Sequence, residues 1–532
     1  MNSPSDAHYL RPDVKIELLV ARWFAWPHLI SPAQHAMNIA FRHLPLMSSF
    51  VSNPKIHLSA AQDPALLGGP FVDLPESAVP LVKDLIEETR DECSRLIEFA
   101  QALKDFDKVL QEQAKGFSLN EFYEKMPKAL AETIEISYDV NNHPNIQIIE
   151  EIAYIHSLNN KHLQEIALHD ISDHSRKFFM TTPRLLLDRT FMRKMEFSDS
   201  RIDILSSMRI HPQPLEDMAR ILDVDMINMP VFKDFFTDTP PRRKEHDYRG
   251  NGVRVRYFGH ACIVIQTSKT CIVIDPIVTF DPDDGDGRYT FIDMPDNIDY
   301  LIISHCHQDH FSAEVLVQLR QRVRKTIVPR NLGGNIADPS MKLILERLGY
   351  RNVEVIDPFG RIEFDEGEII SLPFSGEHAD LNIRSKHTFV VSVKGRKMFF
   401  LVDSDAINPA LYGLLSEIVG PIDLTFVGME CFGAPLTWLY GPLLTGSISR
   451  RNDESRRLSG ADCERAWKLI QQLKCKSVYI YAMGQESWMR YLMGLEYRSD
   501  SVQLKQAGSF IKRCIDIGLT VEYLNISKEL IV

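Results

Sequence analysis

The C-terminal half of the chain has the apolar pattern of short buried strands separated by tight turns. Val253, Val255 and Tyr257 occupy alternate positions, and apolar runs follow at residues 262–265 and 271–274. Alternation and short apolar runs between turn residues predict β-strands. Further strands are predicted at residues 301–303, 325–328, 353–356, 368–372, 388–393, 397–401 and 476–481.

Helical patterns lie between these predicted strands. Helices are predicted at residues 314–321, 342–348 and 458–473, where apolar side chains recur at the spacing of one helix face. Two strand-rich halves with interspersed helices are typical of a layered αββα sandwich. We therefore expect this architecture in the C-terminal part of the chain.

The pattern of the N-terminal half is mainly helical. From residue 75 to residue 110, apolar residues recur every three or four positions, with charged residues between them. This predicts one long amphipathic helix, broken near Phe106. A second helix is predicted over residues 120–137, with Ser118 as its N-cap.

A polar segment separates the two halves. Residues 237–250 are charged, contain two prolines and lack an apolar period, which is typical of a linker. The chain is thus predicted to be an α+β protein with two domains. Residues 1–245 would form an N-terminal α+β domain, and residues 246–532 would form the αββα sandwich.

Composition and charge narrow the function classes. The 532 residues are 44% hydrophobic and 25% charged, as in ordinary soluble proteins, and the net charge of −12 argues against binding of nucleic acid. No signal-peptide pattern and no membrane-length apolar run are seen. The eight cysteines form no C-x-x-C pair, so we expect reduced thiols in a cytoplasmic protein.

The strongest chemical signal is the stretch YLIISHCHQDHF at residues 300–311. It contains His305, His307, Asp309 and His310 in the pattern H-x-H-x-D-H, directly after a predicted strand. Imidazole nitrogen and carboxylate oxygen are good ligands of first-row metals. Four such groups this close together cannot all reach one ion comfortably. The pattern therefore predicts a pair of metal sites at the carboxyl end of the strand.

Three further motifs have the same relation to predicted strands. They are IDP at residues 274–276, SGEHAD at residues 375–380 and LVDSD at residues 401–405. Together with SHCHQDH, they resemble the metallo-β-lactamase superfamily over a little more than half of the chain. The resemblance implies the αββα fold and a dinuclear metal centre.

The sequence departs from the zinc hydrolases of that superfamily at two motifs. No histidine follows His387, so the expected fifth-motif histidine is absent, and Glu377 stands beside His378 at the third motif. Because adjacent residues at a strand end point in different directions, we expect only one of that pair to reach a metal. These departures, the length and the large N-terminal region resemble the CmlA-type di-iron β-hydroxylases of nonribosomal peptide biosynthesis.

This second resemblance implies a ligand set and an activity. One iron would be held by His305, His307 and Glu377, and the other by Asp309 and His310, with Asp403 as the bridging ligand. Glu377 and Asp403 are then the candidate catalytic carboxylates. The implied activity is oxygen-dependent hydroxylation of the β-carbon of an aminoacyl group, tethered as a thioester to a carrier domain of a nonribosomal peptide synthetase.

The resemblance also implies partners. Reduction of O2 requires two electrons from outside the chain, hence a reductase or a ferredoxin-type donor. The N-terminal region would dock the carrier domain and form a homodimer. Two other interpretations remain open: a dizinc or dimanganese hydrolase of a phosphodiester, lactone or amide, and a binding module without activity.

The roles of several neighbouring residues allow more than one interpretation. Asp275 either orients a ligand histidine or caps the end of a strand. Glu430 either lines the pocket or is a solvated loop carboxylate. His260 is expected to make structural hydrogen bonds, and Trp438 and Tyr440 either shape a substrate pocket or pack in the core.

Overall fold

Two seven-stranded sheets face each other in the C-terminal part of the chain. The structure is a computed structural model, and it describes residues 7–156, 158–170, 178–186, 189–280 and 285–532. The first sheet has the strand order Val353–Ile356, Val323–Pro329, Ile298–Ile302, Cys271–Ile274, Ile263–Gln266, Arg254–Tyr257 and Lys528–Ile531. Its first four strands are parallel, and the others pair antiparallel.

The second sheet has a similar mixture of pairings. Its strand order is Arg361–Phe364, Gly367–Leu372, Thr388–Val393, Arg396–Phe400, Ile422–Gly428, Cys475–Tyr481 and Thr520–Tyr523. The first four strands are antiparallel, and the last four are parallel. The carboxyl ends of parallel strands meet at one edge of a sheet, so each sheet presents a row of strand ends there.

Alternation along the strands divides the core into layers. Ile272 and Ile274 point between the two sheets, while Val273 points to the outer side of the first sheet. The outer face of the second sheet packs against the helices Pro409–Val419, Cys463–Gln472 and Val502–Asp516. The outer face of the first sheet is covered by Ala313–Leu319 and Met341–Arg347. The predicted αββα sandwich is therefore confirmed.

The N-terminal part contains small antiparallel sheets among many helices. A four-stranded sheet has the order Trp23–Phe24, Val14–Val20, Gln164–Asp170 and Phe191–Lys194. A three-stranded sheet has the order Gln213–Pro214, Ala7–Leu10 and Phe236–Thr237. A separate hairpin pairs Ile134–Tyr138 with Pro144–Ile148. The helices are Pro27–Ile30, Pro32–Asn38, the π-helix Ile39–His43, Leu44–Ser52, Pro54–Gln62, Val79–Glu92, Ser94–Gln113, Asn120–Glu124, Glu150–Ile155, Ser200–Ser207, Leu215–Ile221 and Met229–Lys233. The predicted α+β class is confirmed.

Two N-terminal helix predictions differ from the structure. The long helix is broken at Cys93, whose φ of −106° and ψ of 14° leave the helical region, and not near Phe106, which is buried inside the second helix. The predicted helix over residues 120–137 ends at Glu124. Pro127 lacks the backbone N–H that a helix interior needs, and Ile134 lies in a strand.

The N-terminal part is fused to the sandwich by a shared core. One continuous apolar cluster runs from the N-terminal helices to the outer face of the first sheet. Polar contacts reinforce it: Lys15 forms a 2.6 Å ion pair with Glu314, and both side chains are buried. The predicted linker is also fixed, because Arg243 donates to Asp296 Oδ1 at 2.8 Å and to the Met294 carbonyl at 3.1 Å. Among the described residues, no helix has both the length and the apolar character needed to cross a membrane.

Arg320 links the two parts through several hydrogen bonds. Its buried guanidinium donates to Asp203 Oδ1, to the Asp199 carbonyl and to the Leu348 carbonyl, each at 2.7 Å, and also to the Phe197 carbonyl. Removal of this group leaves buried acceptors without a donor.

Arg320→Ala is expected to lower the free energy of unfolding by about 3–5 kcal/mol, because it breaks a buried ion pair and several carbonyl contacts at once. Chemical denaturation of the full chain measures this. Arg361→Ala is the matched control, since its pair with Glu368 is partly exposed and should be worth less than about 1 kcal/mol. Equal effects of the two variants would contradict the anchoring role.

Candidate metal centre

Four strands end at one edge of the sandwich, and each is followed by a polar residue of the candidate site. Asp275 follows Cys271–Ile274, His305 follows Ile298–Ile302, Asp403 follows Arg396–Phe400, and Glu430 follows Ile422–Gly428. The loops after these strands carry the remaining candidates. The fold thus gathers residues from distant parts of the sequence around one point between the sheets.

Three groups of side chains could each hold a metal ion, with ligand atoms that lie within 4.8 Å of one another. The groups are His305, His307, Glu377 and His378; His305, His310 and Asp403; and His260, Asp309 and His310. The groups share members, so they form one continuous cluster. Every residue in the predicted ligand set belongs to it.

Asp403 lies at the centre of the cluster. Its Oδ2 atom is 2.9 Å from His310 Nε2 and 3.7 Å from His305 Nε2. Gly428 permits this position, because a Cβ atom there would lie 2.8 Å from Asp403 Oδ1 and 2.6 Å from the Val402 carbonyl oxygen. A carboxylate between two histidines from the same loop is well placed to contact two cations at once.

The third motif brings both Glu377 and His378 into the cluster. Glu377 Oε1 lies 3.3 Å from His307 Nδ1, and Glu377 Oε2 lies 2.5 Å from His378 Nδ1. The expectation that adjacent residues point in different directions is wrong here, because residues 377–380 are not a strand. All four have φ between 47° and 57°, a left-handed region that costs energy for residues other than glycine.

Hydrogen bonds from Asp275 and His260 orient two of the predicted ligands, His310 and Asp309. Asp275 Oδ2 lies 2.8 Å from His310 Nδ1, and the same carboxylate accepts hydrogen bonds from the backbone N–H and hydroxyl of Ser304, at 2.7 and 2.6 Å. His260 Nε2 lies 3.2 Å from Asp309 Oδ2. These contacts hold the far side of each ligand, leaving the near side free for a cation.

Tyr440 is a contact that the sequence did not single out as part of the centre. It is fully buried, and its hydroxyl lies 2.8 Å from His307 Nε2. Tyr440 is 133 positions from His307 and belongs to no motif. The sequence indicated only that Tyr440 shapes a pocket or packs in the core, and no local signal pairs it with His307.

Glu430 faces the cluster. It lines a cavity of about 40 Å³ together with His307, Asp309, Glu377 and Asp403, and apolar side chains complete the walls: Ala434, Trp438, Leu439, Leu458, Leu492 and Met493. Burial, reinforced by Asp309 and Asp403, raises the pKa of Glu430 well above its usual range. The structure therefore favours the interpretation of Glu430 as a residue that lines the pocket.

Burial dominates the electrostatics of the cluster. It raises the pKa of Glu377 to about 7 and lowers the pKa of His307 to about 4. For His310, burial alone would lower the pKa, but the charges of Asp403 and Asp309 raise it well above the ordinary value. The cluster thus keeps part of its ligand set protonated until a cation replaces the protons.

The cluster fits a pair of metal ions because several of its polar atoms lack other partners. Among the described residues, no hydrogen bond satisfies His305 Nε2, Asp403 Oδ1 or His378 Nε2. Unpaired buried polar atoms are costly, so a convergent set of them indicates a missing partner. Histidine nitrogen mixed with several carboxylates suits iron.

Comparisons with known proteins point the same way. Residues 9–240 match the family described as diiron non-heme beta-hydroxylase N-terminal domain, and residues 254–418 match the beta-lactamase superfamily domain. The chain is 30% identical to the 4-amino-L-phenylalanyl-[CmlP-peptidyl-carrier-protein] 3-hydroxylase of Streptomyces venezuelae, over 98% of this chain and 99% of that protein.

Similarity extends to a solved structure. The crystal structure of CmlA, a diiron beta-hydroxylase from Streptomyces venezuelae, superposes with a TM-score of 0.92 at 29% identity, covering 99% of both chains. A more distant relative, the cytidine monophosphate-N-acetylneuraminic acid hydroxylase of Mus musculus, is 27% identical over 38% of this chain and 34% of its own length.

If Glu377 is a metal ligand, as predicted, its raised pKa makes metal binding depend on pH. A cation would bind the carboxylate, so below a pH of about 7 each binding event would also displace a proton from Glu377. Affinity for Co²⁺ should therefore fall as the pH falls, and the fall should be steeper below this pH than above it. The difference in slope corresponds to about one additional proton released per chain.

Calorimetry of Co²⁺ binding in buffers of different ionisation enthalpy counts the released protons. Glu377→Gln, which cannot ionise, should abolish the change in slope near pH 7 while the protons from other ligands remain. An unchanged slope in this variant would show that Glu377 is ionised before the metal binds.

Proposed function

The chain belongs to the diiron non-heme beta-hydroxylase family, and from this membership we propose that it hydroxylates the β-carbon of an aminoacyl group held as a thioester on a carrier domain of a nonribosomal peptide synthetase. The observation that carries the proposal is similarity along the whole chain to a hydroxylase named for its carrier-bound substrate. It is an enzyme, a non-haem di-iron β-hydroxylase with O2 as co-substrate.

We propose that the two irons are held by the predicted ligand set. His305, His307 and Glu377 would bind one ion, Asp309 and His310 the other, and Asp403 both. The unpaired atoms of the cluster and the central position of Asp403 support this assignment. Because His378 and Glu430 also face the cluster, they are the candidates for additional ligands.

The reaction replaces one hydrogen on the β-carbon by a hydroxyl group. One atom of O2 enters the product, and the other leaves as water after uptake of two electrons and two protons. Two irons, when bound, supply the redox chemistry that activates O2. The electrons come from outside the chain, and we propose a reductase or ferredoxin-type protein as their source.

The chain's own residues shape the surroundings of the cluster. Leu439, Leu458 and Leu492 line the cavity beside His307 and Glu377, so the substrate would meet an apolar wall next to the polar centre.

The hydrolase reading is less well supported. A hydrolase of this fold needs one electrophilic metal and one activated water. The chain instead belongs to a hydroxylase family, and its third motif places a carboxylate beside the imidazole of His307. The hydroxylase function is therefore better supported than the hydrolase function.

We also propose the division of labour along the chain. Residues 1–245 would dock the carrier domain and mediate homodimer formation, and residues 246–532 would form the catalytic domain. The shared core and the Arg320 contacts mean that neither part is expected to fold well alone. We propose the cytoplasm as the location, in keeping with eight unpaired cysteines.

Protein produced in iron-replete cells should contain about two irons per chain, because the ligand set mixes imidazole and carboxylate. After anaerobic reduction, exposure to O2 in the presence of an aminoacyl carrier should add one oxygen atom to the acyl group. Elemental analysis and mass spectrometry of the released acyl group measure both. Stoichiometric zinc with hydrolase activity would contradict the proposal.

Glu377→Ala should release or loosen iron more than His378→Ala, if the family-type ligand set applies. Loss of a direct ligand should lower metal affinity by more than the roughly 10–100-fold that follows from losing a hydrogen-bond partner of a ligand. Iron content and O2 consumption of the two purified variants test this order. The reverse order, with His378→Ala stripped of iron and Glu377→Ala intact, would assign the imidazole as the ligand.

A further inference from the structure

We propose that Tyr440 positions His307 in the metal centre and that Arg42, from the N-terminal part, holds Tyr440 in place. Tyr440 and Arg42 are positioning residues, since neither reaches the cavity. The inference rests on the proposed ligand role of His307. It extends the metal centre into the part of the chain that the sequence motifs do not cover.

The first step is the contact between Tyr440 and His307. Nδ1 of His307 faces Glu377 Oε1 at 3.3 Å, while Nε2 lies 2.8 Å from the Tyr440 hydroxyl. When Nδ1 binds a cation, the ring proton resides on Nε2, which then donates to the Tyr440 oxygen. This hydrogen bond fixes the tautomer and the ring orientation, as partners of metal-bound histidines commonly do.

The second step is the weakness of the element that carries Tyr440. The helix Leu436–Tyr440 has five residues, too few to be stable without outside contacts. Asp453 holds its beginning, accepting hydrogen bonds from the backbone N–H and the hydroxyl of Thr437 at 2.8 and 2.7 Å. The end of the helix, where Tyr440 lies, needs a separate anchor.

The N-terminal part supplies that anchor. The Arg42 guanidinium donates to the Trp438 carbonyl at 2.6 Å and to the Leu439 carbonyl at 3.4 Å. These carbonyls belong to the last turn of the helix, where they lack partners within the helix and attract a cation. The Trp438 indole N–H donates to the Gly68 carbonyl at 2.8 Å, which adds a second N-terminal contact.

Arg42 itself lies in a π-helical turn, Ile39–His43. This turn and the preceding helix Pro32–Asn38 pack against Gly441–Leu443, the segment directly after Tyr440. Single π-turns are rare and often occur at functional sites. The position of the His307 ring therefore depends on Arg42, which lies 396 positions before Trp438 along the chain.

The test measures metal affinity and the metal's spectrum in the full-length protein. Tyr440→Phe removes only the hydroxyl. Tyr350→Phe is the matched control, because Tyr350 is also buried and donates one hydrogen bond, to the Leu316 carbonyl at 2.9 Å, outside the cluster. Metal-free protein is titrated with Co²⁺ against a competing chelator.

Tyr440→Phe is expected to weaken Co²⁺ binding by about 10–100-fold and to change the visible Co²⁺ spectrum, as for other partners of ligand histidines. Tyr350→Phe should change neither. Both substitutions should lower the midpoint temperature of thermal unfolding of the metal-free protein by a similar amount. A loss of Co²⁺ affinity in Tyr440→Phe alone would then not be due to a loss of folded protein. Wild-type affinity and spectrum in Tyr440→Phe would overturn the proposal.

Arg42 is tested by its coupling to Tyr440. Arg42→Gln should weaken Co²⁺ binding, and the variant that combines it with Tyr440→Phe should bind no more weakly than Tyr440→Phe alone, because both act through one hydrogen bond. Arg42→Lys keeps a cationic donor and should retain most of the affinity if Arg42→Gln fails to fold. Additive losses would overturn the role of Arg42.

These outcomes separate the proposal from the proposed function. A wild-type protein that hydroxylates its substrate beside an unaffected Tyr440→Phe would refute the positioning role only. Weakened Co²⁺ binding in Tyr440→Phe, with no hydroxylation by the wild-type protein, would refute the proposed function only. A wild-type protein that binds neither iron nor Co²⁺ would refute both.

Discussion

The burial of several carboxylates and imidazoles at one point is the constraint on which the rest of the structure depends. Desolvation of these groups is costly, and the shifted pKa values of Glu377 and His307 show how far the metal-free cluster is from ordinary solution behaviour. Two cations would offset that cost by supplying positive charge to the unpaired atoms. The surrounding fold has to hold the groups close together against their tendency to separate or to take up protons.

Local backbone strain and outer hydrogen bonds serve this purpose. The left-handed residues 377–380 turn two adjacent side chains toward the same point, which a strand could not do. Asp275 and Ser304 fix His310, His260 contacts Asp309, and Tyr440 contacts His307. These contacts orient the side chains of the cluster toward one another.

The N-terminal part is a structural component of the enzyme as well as a candidate docking surface. It continues the apolar core of the first sheet and contacts the helix that closes the cavity through Arg42 and Gly68. The cavity wall therefore depends partly on contacts from the N-terminal part.

The sequence by itself determined the sandwich and the ligand-bearing loops, because alternation and short motifs such as H-x-H-x-D-H are local properties of the chain. It misplaced the helix break at Cys93, and it continued a helix through Pro127 and Ile134, where a hairpin with Ile148 overrides the local periodicity. Only the tertiary structure placed Glu430 in the cavity and Tyr440 against His307. Those contacts depend on how sheets and helices pack, and packing brings together residues whose separation along the chain leaves no pattern in the sequence.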